Sequence, residues 1–132
     1  MTPLSAPLPA EPARGAGGES IDWSVIEALR AFSSADLDLV RELVASFEVH
    51  VTQQLPELEQ AVRRDDATTT QFLAHRMRGT SGNIGARRMA FLCERLEELG
   101  RGGVTIGGME LVDDLWTEFA RVRAALGSGA RS

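Results

Sequence analysis

The chain has 132 residues and a mass of 14.3 kDa, close to the usual size of one domain, so a two-lobed enzyme with a cleft between its domains is not expected. At 43% hydrophobic and 25% charged it has ordinary globular usage and enough apolar residues for one core. Its net charge of -5 and pI of about 5.0 give a field that repels nucleic acid phosphates and anionic lipid.

Four of the five prolines lie at positions 3, 7, 9 and 12, in a stretch of Ala, Gly, Ser and Leu without periodicity. Residues 1–19 therefore read as a flexible tail, 20–127 as a helical domain and 128–132 as a second short tail. Asp22 is placed to cap a short helix in which Trp23, Ile26 and Leu29 recur every third position, ending near Phe32. Ser33, Ser34 and Asp36 supply the next cap and first-turn acid. Behind them Leu37, Val40, Val44, Phe47, Val51, Leu55, Leu58 and Val62 make one helical stripe. Pro56 interrupts it at a cost of about 3 kcal/mol in an ordinary helix interior, which predicts a kink or a break; the unbroken phase favours a kink.

Asp65 and Asp66 cap a third helix from about Ala67 to Ile84, with Leu73, Met77, Ser81 and Ile84 inward and Gly85 ending it in a left-handed turn. A fourth, Ala86 to Leu99, carries Met89, Leu92, Cys93, Leu96 and Leu99 as its seam and closes at Gly100. Glu94, Glu97 and Glu98 read as its solvated face, interleaved with Arg95. After a loop from Arg101 to Gly108 with four glycines, a last helix from about Met109 to Leu126 carries Val112, Leu115, Phe119, Val122 and Leu126. Four such seams bury only against one another, which predicts an all-α fold: an antiparallel four-helix bundle with a short additional N-terminal capping helix. A bundle whose seams are all internal is expected to be a monomer.

Chemistry centres on His75. It lies two residues from both Leu73 and Met77, a turn of about 200° on a helix, and so faces away from the core. Arg78, Gly79 and Gly82 follow at three, four and seven residues, giving the ring a neighbouring cation and a nearly bald strip of helix. Interior glycines cost about 1 kcal/mol each relative to Ala, and an external partner approaching closely accounts for that cost. A neutral imidazole is a competent nucleophile, and Arg78 could hold a phosphoryl oxygen on it. Arg76, Arg87 and Arg88 add local positive charge, the last two read as solvated.

His50, at the edge of the second helix's stripe, reads as a boundary or solvent residue, and Trp23 and Trp116 as packing residues. Two His are too few for a His/Cys metal cluster, and the single Cys93 has no disulfide partner in the chain. No apolar run reaches the roughly 18 to 20 residues of a membrane span and no secretory layout opens the chain, so the expected compartment is the cytoplasm. No Gly-rich phosphate loop, no paired acids at a Mg²⁺ site and no Ser/His/Asp set is present, so autonomous ATP-dependent kinase activity is not expected and any phosphoryl group must come from another protein.

The run Ala74-His75-Arg76-Met77-Arg78-Gly79-Thr80-Ser81-Gly82-Asn83-Ile84-Gly85-Ala86 resembles the signature of the histidine-containing phosphotransfer (HPt) domain family, which reads His, two residues, Lys-Gly, then small residues ending in Gly-Ala. The likeness extends to Ile21-Asp22-Trp23, the Phe47 helix, Asp66, and Leu92-Cys93-Glu94-Arg95-Leu96-Glu97. It implies a phosphorelay intermediate of two-component signalling, with His75 as phosphoacceptor, Arg78 as the phosphoryl-stabilising cation, and Gly79, Gly82, Phe72, Gln71 and Arg76 as the partner surface. The implied partners are receiver domains of response regulators and of a hybrid histidine kinase; the Mg²⁺ belongs to the receiver, and this chain binds no cofactor or metal. Arg78 replaces the family's usual Lys, keeping the charge but changing its geometry. Two alternatives remain open at this point: an HPt-like adapter that docks without being phosphorylated, and a segment of a larger hybrid or chemotaxis-type kinase.

Overall fold

Asp22, in an extended conformation, opens the first helix by accepting a hydrogen bond from the Ser24 amide at 3.1 Å. In the computed structural model, which describes residues 20–34 and 38–129, five helices follow in chain order: α1 (Trp23–Ala31), α2 (Leu39–Arg63), α3 (Ala67–Asn83), α4 (Arg87–Arg101) and α5 (Gly108–Gly129). The same device starts α2, where Asp38 accepts from Arg41 N, and α3, where Asp66 accepts from Thr69 N, each at 3.0 Å. These caps satisfy amides that have no partner inside their own helix.

Asp38, not Ser33, Ser34 or Asp36, caps α2, so the helix starts later than the sequence suggests. The Ser33 hydroxyl instead accepts from the Leu39 amide at 3.1 Å. Asp36 and Leu37 lie outside the described residues, as do 1–19, where the first tail was expected, and 130–132; of the second expected tail, 128–132, the first two residues, Ser128 and Gly129, continue α5 as helix. α2 runs as one helix through Pro56, which sits on its exposed side. The carbonyl of Thr52 that proline deprives of a donor is on an exposed residue too, where water can satisfy it.

The connections are short: 64–66, 84–86 and 102–107. Such turns reverse the chain, and α2 packs on α3, α3 on α4, α4 on α5, and α5 back on α2, closing a four-helix square. Its interior holds Phe47, Leu55, Met77, Leu92, Leu115 and Phe119, among others. Phe47 and Phe119 join α2 to α5 edge to face, with ring centroids 5.8 Å apart. Trp116 is half out in solvent and donates its indole N–H to Glu59 at 2.9 Å, tying the same two helices.

At the end of the bundle where α3 turns into α4, Gly85 takes a φ of 80° and its carbonyl accepts from Asp22 N at 2.6 Å. α1 is thereby pinned across that end as the predicted cap, with Ile26 fully buried and Trp23 packed against the core. At the other end Asp65, with a φ of 56°, ends α2, and its carboxylate accepts from the Thr105 hydroxyl at 2.8 Å, joining the α2–α3 turn to the α4–α5 loop.

α4 departs from the expected pattern in one respect that shapes the site. Gly100 does not close the helix; it lies inside it, buried, and α4 runs on to Arg101 with Gly102 as its cap. A Cβ on Gly100 would lie 2.6 Å from Ala67 O and 2.7 Å from Gln71 N, so this glycine is what lets the backbones of α3 and α4 approach.

Candidate functional site

α3 presents its outer face along Phe72, His75, Arg76, Gly79 and Gly82, all exposed. The His75 side chain is 62% exposed although it is tied at one edge. Its Nδ1 lies 2.9 Å from Oε2 of Glu97, which reaches across from α4. A carboxylate only accepts, so in the neutral ring Nδ1 carries the hydrogen and Nε2 keeps the lone pair. The Arg78 guanidinium flanks the ring with one NH2 at 3.4 Å from Nδ1; being a donor itself, it can only stand beside that N–H.

Glu97 is the site residue that sequence reasoning missed. Read as part of a solvated acidic face, it is 5% exposed and gathers His75, Arg78 and Arg101 around one carboxylate, the arginine contacts at 3.2 and 3.1 Å. In the fold Glu97 and Gly100 continue the row of buried Cys93 at intervals of four and three, whereas Leu99, placed in the seam by the apolar pattern, is only partly buried. The neighbourhood is dry on its inner side: Cys93 is fully buried, and burial pushes its thiol pKa far up, so it is a packing residue and not a reactive thiol.

A second correction concerns Arg88, read as solvated. It is 3% exposed and pairs with Glu118 of α5, itself 1% exposed, at 3.7 Å. Arg87 is exposed, as expected.

Around His75 the surface is open. A Cβ built on Gly79 or on Gly82 would meet nothing within 4 Å, so neither glycine is required by packing inside the bundle. Phe72 is 57% exposed and carries the Arg76 guanidinium over its ring at 5.6 Å from the centroid. Gln71 is half-buried on the α4 side, against Gly100. On the other flank Leu43, Ser46, Phe47, His50, Thr80 and Ile84 help line a shallow groove of about 150 Å³ between α2 and α3. His50 is exposed there, beside the Ser46 hydroxyl at 3.4 Å, with no carboxylate or cation among the described residues bonded to it as Glu97 is to His75.

Among the described residues no cluster of His, Cys, Asp and Glu is arranged to hold a metal, and no helix is long and apolar enough to cross a membrane. The site therefore consists of one accessible imidazole nitrogen, a buried carboxylate orienting it, a flanking cation and a surface bare of side chains.

The chain as a whole has relatives. The chain is 25% identical over 84 residues to the phosphorelay intermediate protein YPD1 of Saccharomyces cerevisiae, a match covering 63% of this chain and 50% of the yeast protein, so the chain spans about half the length of that relative. The crystal structure of histidine-containing phosphotransfer protein B from Pseudomonas aeruginosa PAO1 superposes with a TM-score of 0.77 at 27% identity, covering 85% of this chain and 95% of that one. Yeast Ypd1 crystallised with the receiver domain of its downstream response regulator Ssk1 has a TM-score of 0.78 at 18% identity, covering 87% and 97%, which shows the shared fold. The Hpt domain model matches residues 42–125, well over half of the sequence and all of α3 and α4, and this chain belongs to the Hpt domain family.

Proposed function

We propose that this chain is a phosphorelay intermediate, receiving a phosphoryl group on Nε2 of His75 from the aspartyl phosphate of a receiver domain and passing it to another receiver. The observation that carries this reading is the His75–Glu97 contact, because it engages Nδ1 and leaves Nε2 of the neutral, mostly exposed ring free to act, on a helix face bare at Gly79 and Gly82. The names of the yeast and Pseudomonas relatives support it, as does the yeast protein's complex with a receiver domain.

In this reading the Nε2 lone pair forms the N–P bond as the P–O bond to the receiver's aspartate breaks and its carboxylate departs. The ring gains positive charge while its Nδ1–H stays on Glu97, whose negative charge offsets it, so no proton has to move. Transfer onward is the reverse of the same step. Arg78 turns from Glu97 to a phosphoryl oxygen. The receiver brings the acidic pocket and the Mg²⁺, and Phe72, Arg76, Gly79 and Gly82 form the surface on which it sits, with Gln71 at its margin. The chain is a carrier and not a kinase, and a hybrid histidine kinase is its upstream source. Cytoplasmic location and a monomeric state complete the reading.

The test is transfer of label from a phosphorylated receiver to the wild-type chain and to His75→Gln. Acid-labile label on the wild type alone is the expected result. Receiver binding without label would instead identify a docking adapter and refute the relay.

A further inference from the structure

Three donors surround the Glu97 carboxylate, and they are held unequally. His75 Nδ1 at 2.9 Å and an Arg101 NH2 at 3.1 Å both make hydrogen bonds to Oε2. Arg78 Nε lies 3.2 Å from the other oxygen, Oε1, yet Oε1 is closed to solvent and receives no properly directed hydrogen bond. Arg78 thus contributes charge to Glu97 without being fastened to it. Arg101 is fastened, and from the same helix: it is the last residue of α4, one turn beyond Glu97, so its hold does not depend on where α3 or its side chains go.

This asymmetry decides which cation can leave. The Glu97 side chain is 6% exposed, so its carboxylate depends on partners fastened to it, and the positive charge that the ring gains is shared with the phosphoryl group the ring carries. One arginine cannot hold Glu97 and a phosphoryl oxygen on the neighbouring ring at the same time. Two arginines can divide the work.

We propose that Arg101 is a positioning residue that keeps Glu97 neutralised and bonded to His75 Nδ1 while Arg78 swings to the phosphoryl group. The inference rests on phosphorylation of His75 Nε2 as described above. On phosphorylation Arg78 exchanges its contact with Oε1 for a phosphoryl oxygen, whereas Arg101 stays on Oε2 and the ring stays oriented for the return transfer.

The experiment follows the two guanidinium groups by carbon-detected NMR of the full chain, before and after phosphorylation with phosphoramidate, whose phosphoryl group passes to Nε2 as ammonia leaves. In the wild type the Arg78 Cζ signal moves and that of Arg101 does not. In Arg101→Gln the Arg78 signal stays at its unphosphorylated position, and the phosphohistidine is lost about tenfold faster, the equivalent of one charge-assisted hydrogen bond. Arg101→Lys, which keeps the charge, restores both readouts, which a purely structural role would not require. Wild-type movement of Arg78 in Arg101→Gln, with an unchanged phosphohistidine lifetime, overturns the inference and leaves the relay standing. A wild-type chain that takes no label at His75 removes the relay itself, and this inference with it.

Discussion

His75 Nδ1 and Glu97 Oε2 are 22 residues apart in the chain and 2.9 Å apart in space, one on a ring that is mostly exposed and the other on a carboxylate that is almost wholly buried. The pairing makes the two nitrogens of the imidazole unequal. One is committed to the interior of the α3–α4 interface, and the other is offered outward.

Because His75 is exposed and Glu97 keeps both arginines without it, His75→Gln abolishes the acid-labile label yet changes stability by no more than about 0.5 kcal/mol. Thermal unfolding run beside the transfer assay checks both halves. A large loss of stability would mean that the ring is a packing residue.

Replacing Glu97 frees the ring and removes the charge that offsets the developing imidazolium. Glu97→Gln, which retains an acceptor, slows single-turnover transfer about tenfold, and Glu97→Ala slows it further, both with receiver affinity unchanged. Equal losses in rate and affinity would place Glu97 in docking instead.

Gly79 and Gly100 should respond oppositely to the same change. At Gly79 a methyl group meets open space within a helix, so Gly79→Ala raises stability by up to about 1 kcal/mol, and a bulky residue there weakens receiver docking with no loss of fold. At Gly100 the methyl would be forced against Ala67 O and Gln71 N, so Gly100→Ala lowers the melting temperature and loosens the His75–Glu97 contact along with it. Denaturant unfolding of both variants checks the signs.

Arg88 and Glu118 form a buried pair between α4 and α5, with Arg121 also bonded to Glu118 at 3.3 Å. Glu118→Ala removes the buried carboxylate that faces both Arg88 and Arg121 and costs about 1 to 3 kcal/mol, whereas replacing Arg88 and Glu118 together with Met and Leu costs less. A double-mutant cycle by urea unfolding reads the difference.

Acid unfolding follows from three carboxylates held below their usual range. The Ser24 hydroxyl and amide do this to Asp22, the Thr69 hydroxyl and amide to Asp66, and the Arg63 guanidinium with the Trp116 indole to Glu59. Each binds fewer protons folded than unfolded, so its contribution is complete above the unfolded values of about 3.9 to 4.3 and drains away as pH falls below them. Melting temperature should therefore be flat from pH 7 to 5 and fall below pH 4. Asp66→Asn, which caps without titrating, flattens that acid limb; an unchanged limb would remove Asp66 from the account.

Helix order, caps and the outward direction of His75 were legible because each depends on residues within about four positions. Asp22 and Asp66 find their donors two and three residues on, and His75 is turned outward by Leu73 and Met77 on either side. Gly85 ends α3 through its own φ. The start of α2 was misplaced for an equally local reason, since Ser33 and Asp38 are both good caps and Ser33 serves from outside the helix.

The period of the apolar residues, the capping chemistry and the bare strip beside one histidine are properties of the sequence by itself, and they determine four amphipathic helices, their order, and which nitrogen-bearing side chain stands in the open. What only the tertiary structure decided is the fate of the charges on α4. Glu97, Arg88 and Arg101 look alike as residues on a polar helix face, but Gly100 lets α3 come close enough to bury Glu97 beneath His75, and α5 brings Glu118 over Arg88. Whether a charged side chain is solvated or becomes the buried partner of an exposed histidine is set by the helix that packs beside it, and that neighbour is named by no local pattern.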